Sequence, residues 1–311
     1  MAGHSAMTDL RSHLDDYLRL RRALGFKLVE PGRILPHFLA YLESAGAATI
    51  TIEHAVSWAK LPSGVQPIHW AHRLSAVRGF ATYLNAIDPT AEVPPRDLFA
   101  ARQQRPTPYL WSEEEICRLM TATRSIRPEL RALSHEALFG LVWASGLRIG
   151  EAISLDREDV DLAEGVITVR ATKAGRSRFV PLHFGATDAL CTYAASRDVL
   201  CHKAKTPAFF VSGAGTRLLI GGVQSTFRKT TSAIGLRTDA KRPRIHDIRH
   251  SFAVRVLIEC YRSGSDVESM MPWLSAYLGH LNAVSTYWYL SAAPELMELV
   301  AARFRSATYH S

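Results

Sequence analysis

The sequence predicts a mainly α-helical protein with one small β-hairpin, divided into two domains. Apolar residues recur at helical spacing through most of the chain. One segment alternates apolar and polar residues on both sides of the tetrapeptide KAGR, as a hairpin does. A proline-rich stretch interrupts the helical pattern, and a chain of 311 residues is long enough for a domain on each side of it.

Four helices are predicted before residue 88. The first ends near Gly25 and the second at Gly46, because glycine commonly terminates a helix. The third begins after Thr51, a residue type that caps helix N-termini, and the fourth has Pro67 in its first turn. The apolar stripe of the first helix consists of Leu10, Leu14, Tyr17, Leu18 and Leu24. We therefore expect residues 1–88 to form a compact all-α domain.

Five prolines separate this domain from the rest of the chain. They stand at positions 89, 94, 95, 106 and 108. Proline at this density breaks helices and stiffens a connector. We place a linker at residues 89–107 and the second domain at residues 108–311.

The second domain is predicted to combine helices with the hairpin. It begins with a capping box formed by Ser112 and Glu115, and an apolar helix that ends at Gly146 follows. The hairpin comes next, and a short strand is expected at residues 208–212. Helical patterns then continue to the end of the chain.

Charge and cysteine usage narrow the function classes. The net charge of +8 and a pI near 9.5 favour a polyanionic partner, nucleic acid first and a membrane surface second. The four cysteines show neither CxxC pairs nor zinc-like spacing, which predicts reduced thiols. No signal peptide and no apolar run of membrane-spanning length occurs, so we expect a cytoplasmic protein without a membrane partner.

Reactive side chains recur in structured, apolar surroundings of the second domain. They are Arg148, Lys173, His246, Arg249, His280 and a tyrosine at 287 or 289. Arginine forks match phosphate oxygens, histidine moves a proton, lysine can protonate a departing alkoxide, and tyrosine can form a covalent phosphate ester. The set therefore predicts chemistry at a phosphodiester. We expect no cofactor and no metal, because the arginines neutralise charge and no metal or phosphate-loop motif occurs.

Four separated segments resemble the motif boxes of the tyrosine recombinases of the phage-integrase family. SGLRIGEAISL matches the first arginine box, TKAGRSRFVPL the lysine hairpin, HDIRHSFA the second arginine box, and YLGHLNAVSTYWYL the tyrosine box. The boxes keep the family's order and spacing over residues 108–311, while the N-terminal helices match in architecture. The ending YWYLSAAPELM is most similar to recombinases of transposons and other mobile elements.

The resemblance implies a role for each of these residues. The family's nucleophile lies nine residues after the histidine of the LGH box, which selects Tyr289 and leaves Tyr287 as the alternative. Glu151 is expected to hold the arginine loop or a helix start. The implied fold is an all-α core-binding domain followed by an α+β catalytic domain with a C-terminal docking helix. The cations expected to contact the DNA are Arg73, Arg78, Arg176, Arg178 and Arg244.

The implied activity is site-specific recombination of double-stranded DNA through a 3′-phosphotyrosyl intermediate, for integration or excision of a mobile element. The implied assembly is a homotetramer on two sites of nucleoid DNA, with companion recombinases as further partners. Two alternatives stay open. One is a DNA-binding accessory protein that no longer cuts, and the other is a topoisomerase that cleaves without pairing two sites.

Overall fold

The computed structural model describes residues 2–99, 107–170 and 177–279, with side chains from residue 9 onward. Contacts within the chain divide it into two compact units, Met1–Arg105 and Pro106–Ser311. Each unit has a hydrophobic core of its own. The described elements are mostly helical, with one small antiparallel sheet, so the predicted fold class is confirmed.

The described residues of the first unit form four helices around one core. They are α1 (Ala2–Ala23), α2 (Val29–Ser44), α3 (Ile52–Lys60) and α4 (Pro67–Asn85). The Thr51 hydroxyl accepts a hydrogen bond from the backbone N of His54 at 3.2 Å, which confirms the predicted N-cap. The apolar stripe of α1 is buried except for Leu24, which follows the end of the helix and is 64% exposed. Its assignment to the stripe was therefore wrong.

The segment after α4 packs against the first unit. Arg78 donates from Nε to the carbonyl oxygen of Pro94 at 2.7 Å and from Nη2 to that of Pro95 at 2.6 Å. Glu92 accepts a hydrogen bond from the backbone N of Ile52 at 2.6 Å. These bonds hold the first part of the predicted linker against the helices.

The second unit has seven described helices. They are α5 (Glu113–Arg124), α6 (Glu129–Ser145), α7 (Ile149–Ser154), α8 (Phe184–Leu200), α9 (Ile220–Ala233), α10 (Ile245–Arg262) and α11 (Val267–Leu278). The capping box at Ser112 and Glu115 is confirmed, since each side chain bonds the other's backbone N. Helix α6 buries Leu138, Phe139 and Val142 in the main core of the unit.

A three-stranded antiparallel sheet carries the hairpin. Its strands are β1 (Val160–Asp161), β2 (Val166–Val169) and β3 (Arg178–Pro181), in that spatial order. Ile167 pairs with Val180, and both are fully buried. Val169 pairs with Arg178, so β2 and β3 form the predicted hairpin and Arg178 stands at the end of β3 nearest its loop. Strand β1, with two residues, is too short to show an alternating pattern in the sequence.

The strand predicted at residues 208–212 is wrong. This segment forms only isolated bridges, from Ala208 to Asp156 and from Val211 to Arg217. Side chains bind much of its backbone instead. The Tyr193 hydroxyl accepts from the Val211 N at 3.2 Å, and Ser134 donates to the Val211 carbonyl oxygen at 2.8 Å. The apolar run reflects burial in a helical core rather than a place in a sheet.

Candidate active site

The first arginine box forms a tight turn between α6 and α7. Gly146 ends α6 with a φ of 62°, and a Cβ atom there would lie 2.4 Å from the Phe252 ring, so the position requires glycine. Arg148 then immediately precedes α7. Its backbone N and its Nη1 both donate to the Glu151 carboxylate, at 3.1 and 2.8 Å. Glu151 therefore holds both the loop and the helix start, as the sequence predicted.

The second arginine box opens helix α10. Asp247 caps the helix start, because it accepts a hydrogen bond from the backbone N of Arg244 at 2.7 Å. Arg249 follows Asp247 by two residues on α10 and is only 1% exposed. Its Nη1 donates to the Gly146 carbonyl oxygen at 2.7 Å, so the second box is bonded directly to the turn that carries the first.

The two boxes meet at the C-terminal end of α11. The Leu278 carbonyl oxygen accepts from Arg148 Nη1 at 3.3 Å and from Arg249 Nη2 at 2.7 Å. The Gly279 carbonyl oxygen accepts from Arg148 Nη2 at 3.0 Å. The last carbonyls of a helix lack intrahelical donors and carry partial negative charge, so guanidinium groups stabilise them. Arg148 and Arg249, far apart in sequence, thus share one oxygen atom.

His246 lies in the electrostatic field of these arginines. Partial burial, and then the charge of Arg249, lower the pKa of His246 to about 4, with further lowering by Arg244 and Arg148 and an opposing effect of Asp247. Part of the residue is open to solvent, so water offsets some of the burial cost, while the arginine charges act on the ring directly. The imidazole is therefore neutral at pH 7, and it can accept a proton.

His250 stands one turn after His246 on α10 and is buried. The two imidazole rings meet edge to face, with their centroids 4.5 Å apart. His250 thus packs directly against the histidine that the sequence assigns to catalysis.

The Glu151 carboxylate is ionised although it is largely buried. Burial alone would raise the pKa of Glu151, but the hydrogen bonds and charge of Arg178, followed by those of Arg148, lower it below its ordinary value. Arg178 donates from Nη2 to Glu151 Oε2 at 2.8 Å and from Nη1 to Oε1 at 3.2 Å. A fork of this kind fixes the plane of a carboxylate.

Four of the cations predicted to contact DNA have partners inside the chain. Arg178 is bound to Glu151, and Arg244 is paired with Asp247 at 2.7 Å. Arg73 stacks 3.7 Å from the centre of the Trp58 ring and donates to the Trp58 carbonyl oxygen, while Arg78 binds the carbonyls after α4. Sequence reasoning treated these four as surface cations, because the spacing of a charge does not reveal its partners. Their contacts with DNA stay predictions.

The remaining predicted site residues lie outside the described residues. They are Lys173, Arg176, His280 and Tyr289, together with the alternative Tyr287. His280 directly follows Gly279, whose carbonyl oxygen binds Arg148. The described cluster therefore ends at the residue before the predicted histidine.

The described parts of the chain contain neither a cluster of metal-ligating side chains nor a membrane-spanning helix. Within residues 2–99, 107–170 and 177–279, no three histidine, cysteine, aspartate or glutamate side chains gather as metal ligands would. Over the same ranges, no helix combines the length and the apolar character needed to cross a membrane.

The sequence model of the phage integrase family matches residues 111–295, which include all four motif boxes. The chain belongs to the phage integrase family. It is 44% identical over 300 residues to a Sinorhizobium fredii protein described as an integrase/recombinase, y4rB, covering 94% of this chain and 96% of that one. It is 28% identical to tyrosine recombinase XerC of Pelotomaculum thermopropionicum, over 86% of this chain and 79% of XerC.

A solved structure agrees with this family at the level of the fold. The Tn1549 transposon integrase, in complex with transposon right end DNA, superposes with a TM-score of 0.62 at 16% identity, covering 94% of this chain and 98% of that one. The family match and the named relatives make this phage-integrase-family chain a tyrosine-type site-specific DNA recombinase.

Proposed function

We propose that this recombinase integrates or excises a mobile element by cutting and rejoining duplex DNA through Tyr289. The observation that carries the proposal is the meeting of Arg148 and Arg249 on one carbonyl oxygen, beside the neutral His246 and next to His280 in sequence. Two guanidinium groups so close together can bind the non-bridging oxygens of one phosphodiester. The Tn1549 integrase was solved with transposon end DNA, which supports DNA of this kind as the substrate.

The proposed cleavage step conserves the phosphodiester bond energy. The Tyr289 oxygen bonds to phosphorus, the bond from phosphorus to the 5′ oxygen breaks, and a 3′-phosphotyrosine forms. Lys173 supplies the proton that the departing 5′ oxygen takes up. Arg148 and Arg249 stabilise the extra negative charge of the five-coordinate phosphorus, and His280 donates to the same oxygens. A free 5′ hydroxyl of a partner strand then attacks the linkage and releases Tyr289.

The phenol of Tyr289 has to lose its proton during the attack. A tyrosine has an ordinary pKa near 10, so a base is useful at neutral pH. Burial and the arginine charges keep His246 neutral, so the imidazole is free to accept a proton. The same charges weaken it as a base, and they offset this by stabilising the phenolate that forms. We therefore assign proton acceptance to His246.

The proposed assembly follows the two-unit organisation. The predicted helical domain 1–88 and catalytic domain 108–311 bind duplex DNA together, and residues 89–107 link them. Four copies bring two sites together on cytoplasmic nucleoid DNA, with companion recombinases as further partners. In the sequence, Leu296, Leu299, Val300 and Phe304 recur at helical spacing, which predicts a C-terminal helix, and we assign to it the docking on a neighbouring copy.

A covalent-trapping experiment tests the proposal. Tiled, nicked duplexes from the DNA that flanks the gene are incubated with the full chain in EDTA and without ATP, and adducts are separated by denaturing electrophoresis. Wild type and Tyr287→Phe should form a protein–DNA adduct on the same duplex, whereas Tyr289→Phe should bind that duplex and form none. Tyr287→Phe is the matched control, because it removes a phenol two residues away.

Other outcomes select the alternatives. An adduct from Tyr289→Phe would overturn the assignment of the nucleophile. Binding of duplex without any wild-type adduct would indicate an accessory protein. Adduct and relaxation of supercoiled plasmid without joint molecules would indicate a topoisomerase.

A further inference from the structure

Arg178 is a largely buried arginine of the second unit, and the proposed cleavage step assigns it no role. Its side chain is 13% exposed and forms a fork with the Glu151 carboxylate, at 2.8 and 3.2 Å. Its Nε donates to the Tyr277 carbonyl oxygen at 2.8 Å. The guanidinium therefore connects strand β3 to two other elements at once, helix α7 and the end of helix α11.

The Glu151 carboxylate connects Arg178 to Arg148 by hydrogen bonds. Its Oε1 accepts from Arg178 Nη1 at 3.2 Å and from Arg148 Nη1 at 2.8 Å, and its Oε2 accepts from Arg178 Nη2 and from the backbone N of Arg148. The carboxylate is thus held by four hydrogen bonds from two arginines. Without Arg178, Glu151 would be partly buried with half of its donors missing, and its plane would no longer be fixed.

Arg178 also completes a row of arginines on one helix end. Three consecutive carbonyl oxygens accept from these arginines. The Tyr277 oxygen accepts from Arg178, and the Leu278 oxygen accepts from both Arg148 and Arg249. The Gly279 oxygen accepts from Arg148. Three guanidinium groups therefore fix the last turn of α11, and this turn leads directly into His280.

Gly279 makes this close approach sterically feasible. A Cβ atom on Gly279 would lie 2.8 Å from Arg178 Nη1 and 3.0 Å from its Cζ, and the residue has a φ of +66°. An alanine there would both strain the backbone and push the Arg178 fork away. The helix end is thus shaped to accept this arginine.

We propose that Arg178 is a positioning residue for strand cleavage. It sets the Arg148 guanidinium through Glu151, and it fixes the α11 end from which His280 and Tyr289 continue. It stands on β3 beside the loop that carries Lys173, so one side chain joins the hairpin to the arginine cluster. This inference rests on the proposed function, and it assigns Arg178 no contact with the reacting phosphate.

The test compares Arg178→Gln and Arg178→Lys with Arg170→Gln on the duplex that traps wild type. Arg170 is the matched control, because it directly follows β2, just as Arg178 begins β3, and it pairs with Asp159 and Glu158. Single-turnover cleavage by Arg178→Gln should fall about 10- to 100-fold, as misplaced catalytic groups do. Its dissociation constant for the duplex and its melting temperature should match those of Arg170→Gln. Arg178→Lys keeps the charge without the fork, so it should restore cleavage only in part.

A double-mutant cycle locates the path of the effect. If Arg178 acts through Glu151, Arg178→Gln combined with Glu151→Gln should slow cleavage less than the product of the two single effects. Cleavage by Arg178→Gln equal to that of Arg170→Gln would overturn the inference. So would a loss of cleavage that only follows a loss of DNA binding or of melting temperature. A wild-type chain that forms no adduct would overturn the proposed function and this inference together, whereas wild-type adduct with unaffected Arg178→Gln sinks the inference alone.

Discussion

In the first unit Arg73 and Arg78 bind backbone carbonyls at separate places, whereas in the second unit three arginines bind consecutive carbonyls of one helix end. Arg73 stacks on Trp58, and Arg78 fastens the segment after α4. Arg148, Arg178 and Arg249 converge instead from a helix start, a strand and a helix interior. A carbonyl partner and at least partial burial are therefore common to structural and functional arginines.

The convergence is what separates the two regions. Arg73 and Arg78 each secure their own neighbourhood. Burial and then the charge of Arg96 lower the pKa of Arg78, but among the described residues no second arginine binds the carbonyl oxygens that Arg78 binds. In the second unit, like charges gather around one carboxylate and one neutral imidazole, which costs stability and needs compensation. Such an arrangement is suited to an anion that arrives from outside, and a DNA phosphate is such an anion.

The largest effect on cleavage is expected for substitution of Arg249. If Arg249 only stabilised the fold, as Arg73 and Arg78 do, the contrast between the two units would not hold. Arg249→Ala should slow single-turnover cleavage by at least about 100- to 1000-fold, because it removes a fixed donor from the site of developing charge. Arg249→Lys should retain folding and still lose most of the rate, since it lacks the fork. Arg157→Gln is the control, because it loses only an exposed pair with Asp198. Cleavage by Arg249→Ala near the control rate would contradict the account.

A smaller effect is expected for Arg73, on stability rather than on chemistry. Arg73→Ala loses the stack on Trp58 and one of the two donors to the Trp58 carbonyl oxygen, the other being the backbone N of Leu61, so it should destabilise the first unit by about 1–3 kcal/mol. Urea denaturation followed by circular dichroism measures this loss. Arg19→Ala, which removes an exposed pair with Asp16, should cost less than about 0.5 kcal/mol. If folded Arg73→Ala cleaved DNA more slowly than wild type at saturating protein, the distinction between the two units would not hold.

The smallest expected effect is the titration of His246. Nuclear magnetic resonance should give the DNA-free protein a midpoint well below 6.5, near 4, with His246→Gln used to assign the signal. Because the folded pKa is lowered, the unfolded chain binds this proton first, so acidification from about pH 6.5 to pH 4 should reduce stability. Binding of duplex DNA should raise the midpoint, since a phosphate charge favours imidazolium. A midpoint at or above 6.5 without DNA would contradict the arginine field described here.

Local chemistry made much of the fold predictable. The Thr51 cap, the box at Ser112 and Glu115, and the ending of α6 at Gly146 depend on neighbours in sequence, and each is confirmed. The strand at 208–212 failed because an apolar run shows burial but not its partner. There, the Tyr193 hydroxyl and Ser134 supply hydrogen bonds that a neighbouring strand would otherwise provide.

The candidate site shows the same limit. The motif boxes predicted which arginines matter, and the second unit brings Arg148 and Arg249 together. The part played by Arg178 could not be predicted, because its partners Glu151 and the Tyr277 carbonyl are distant in sequence. The alternating pattern of β3 predicts on which face of the strand a side chain lies, but it does not predict whether a carboxylate lies next to that side chain. Backbone carbonyls of a helix end leave no trace in the sequence at all.

The most direct test of the central claim is to remove the charge of the phosphate instead of the arginine. Arg148→Ala is assayed on the trapping duplex with an ordinary scissile phosphate and with a neutral methylphosphonate at that position. If Arg148 neutralises developing charge, the variant should be slower than wild type by at least about 100-fold on the phosphate and by less than about tenfold on the methylphosphonate. An equal loss on both substrates would contradict the account.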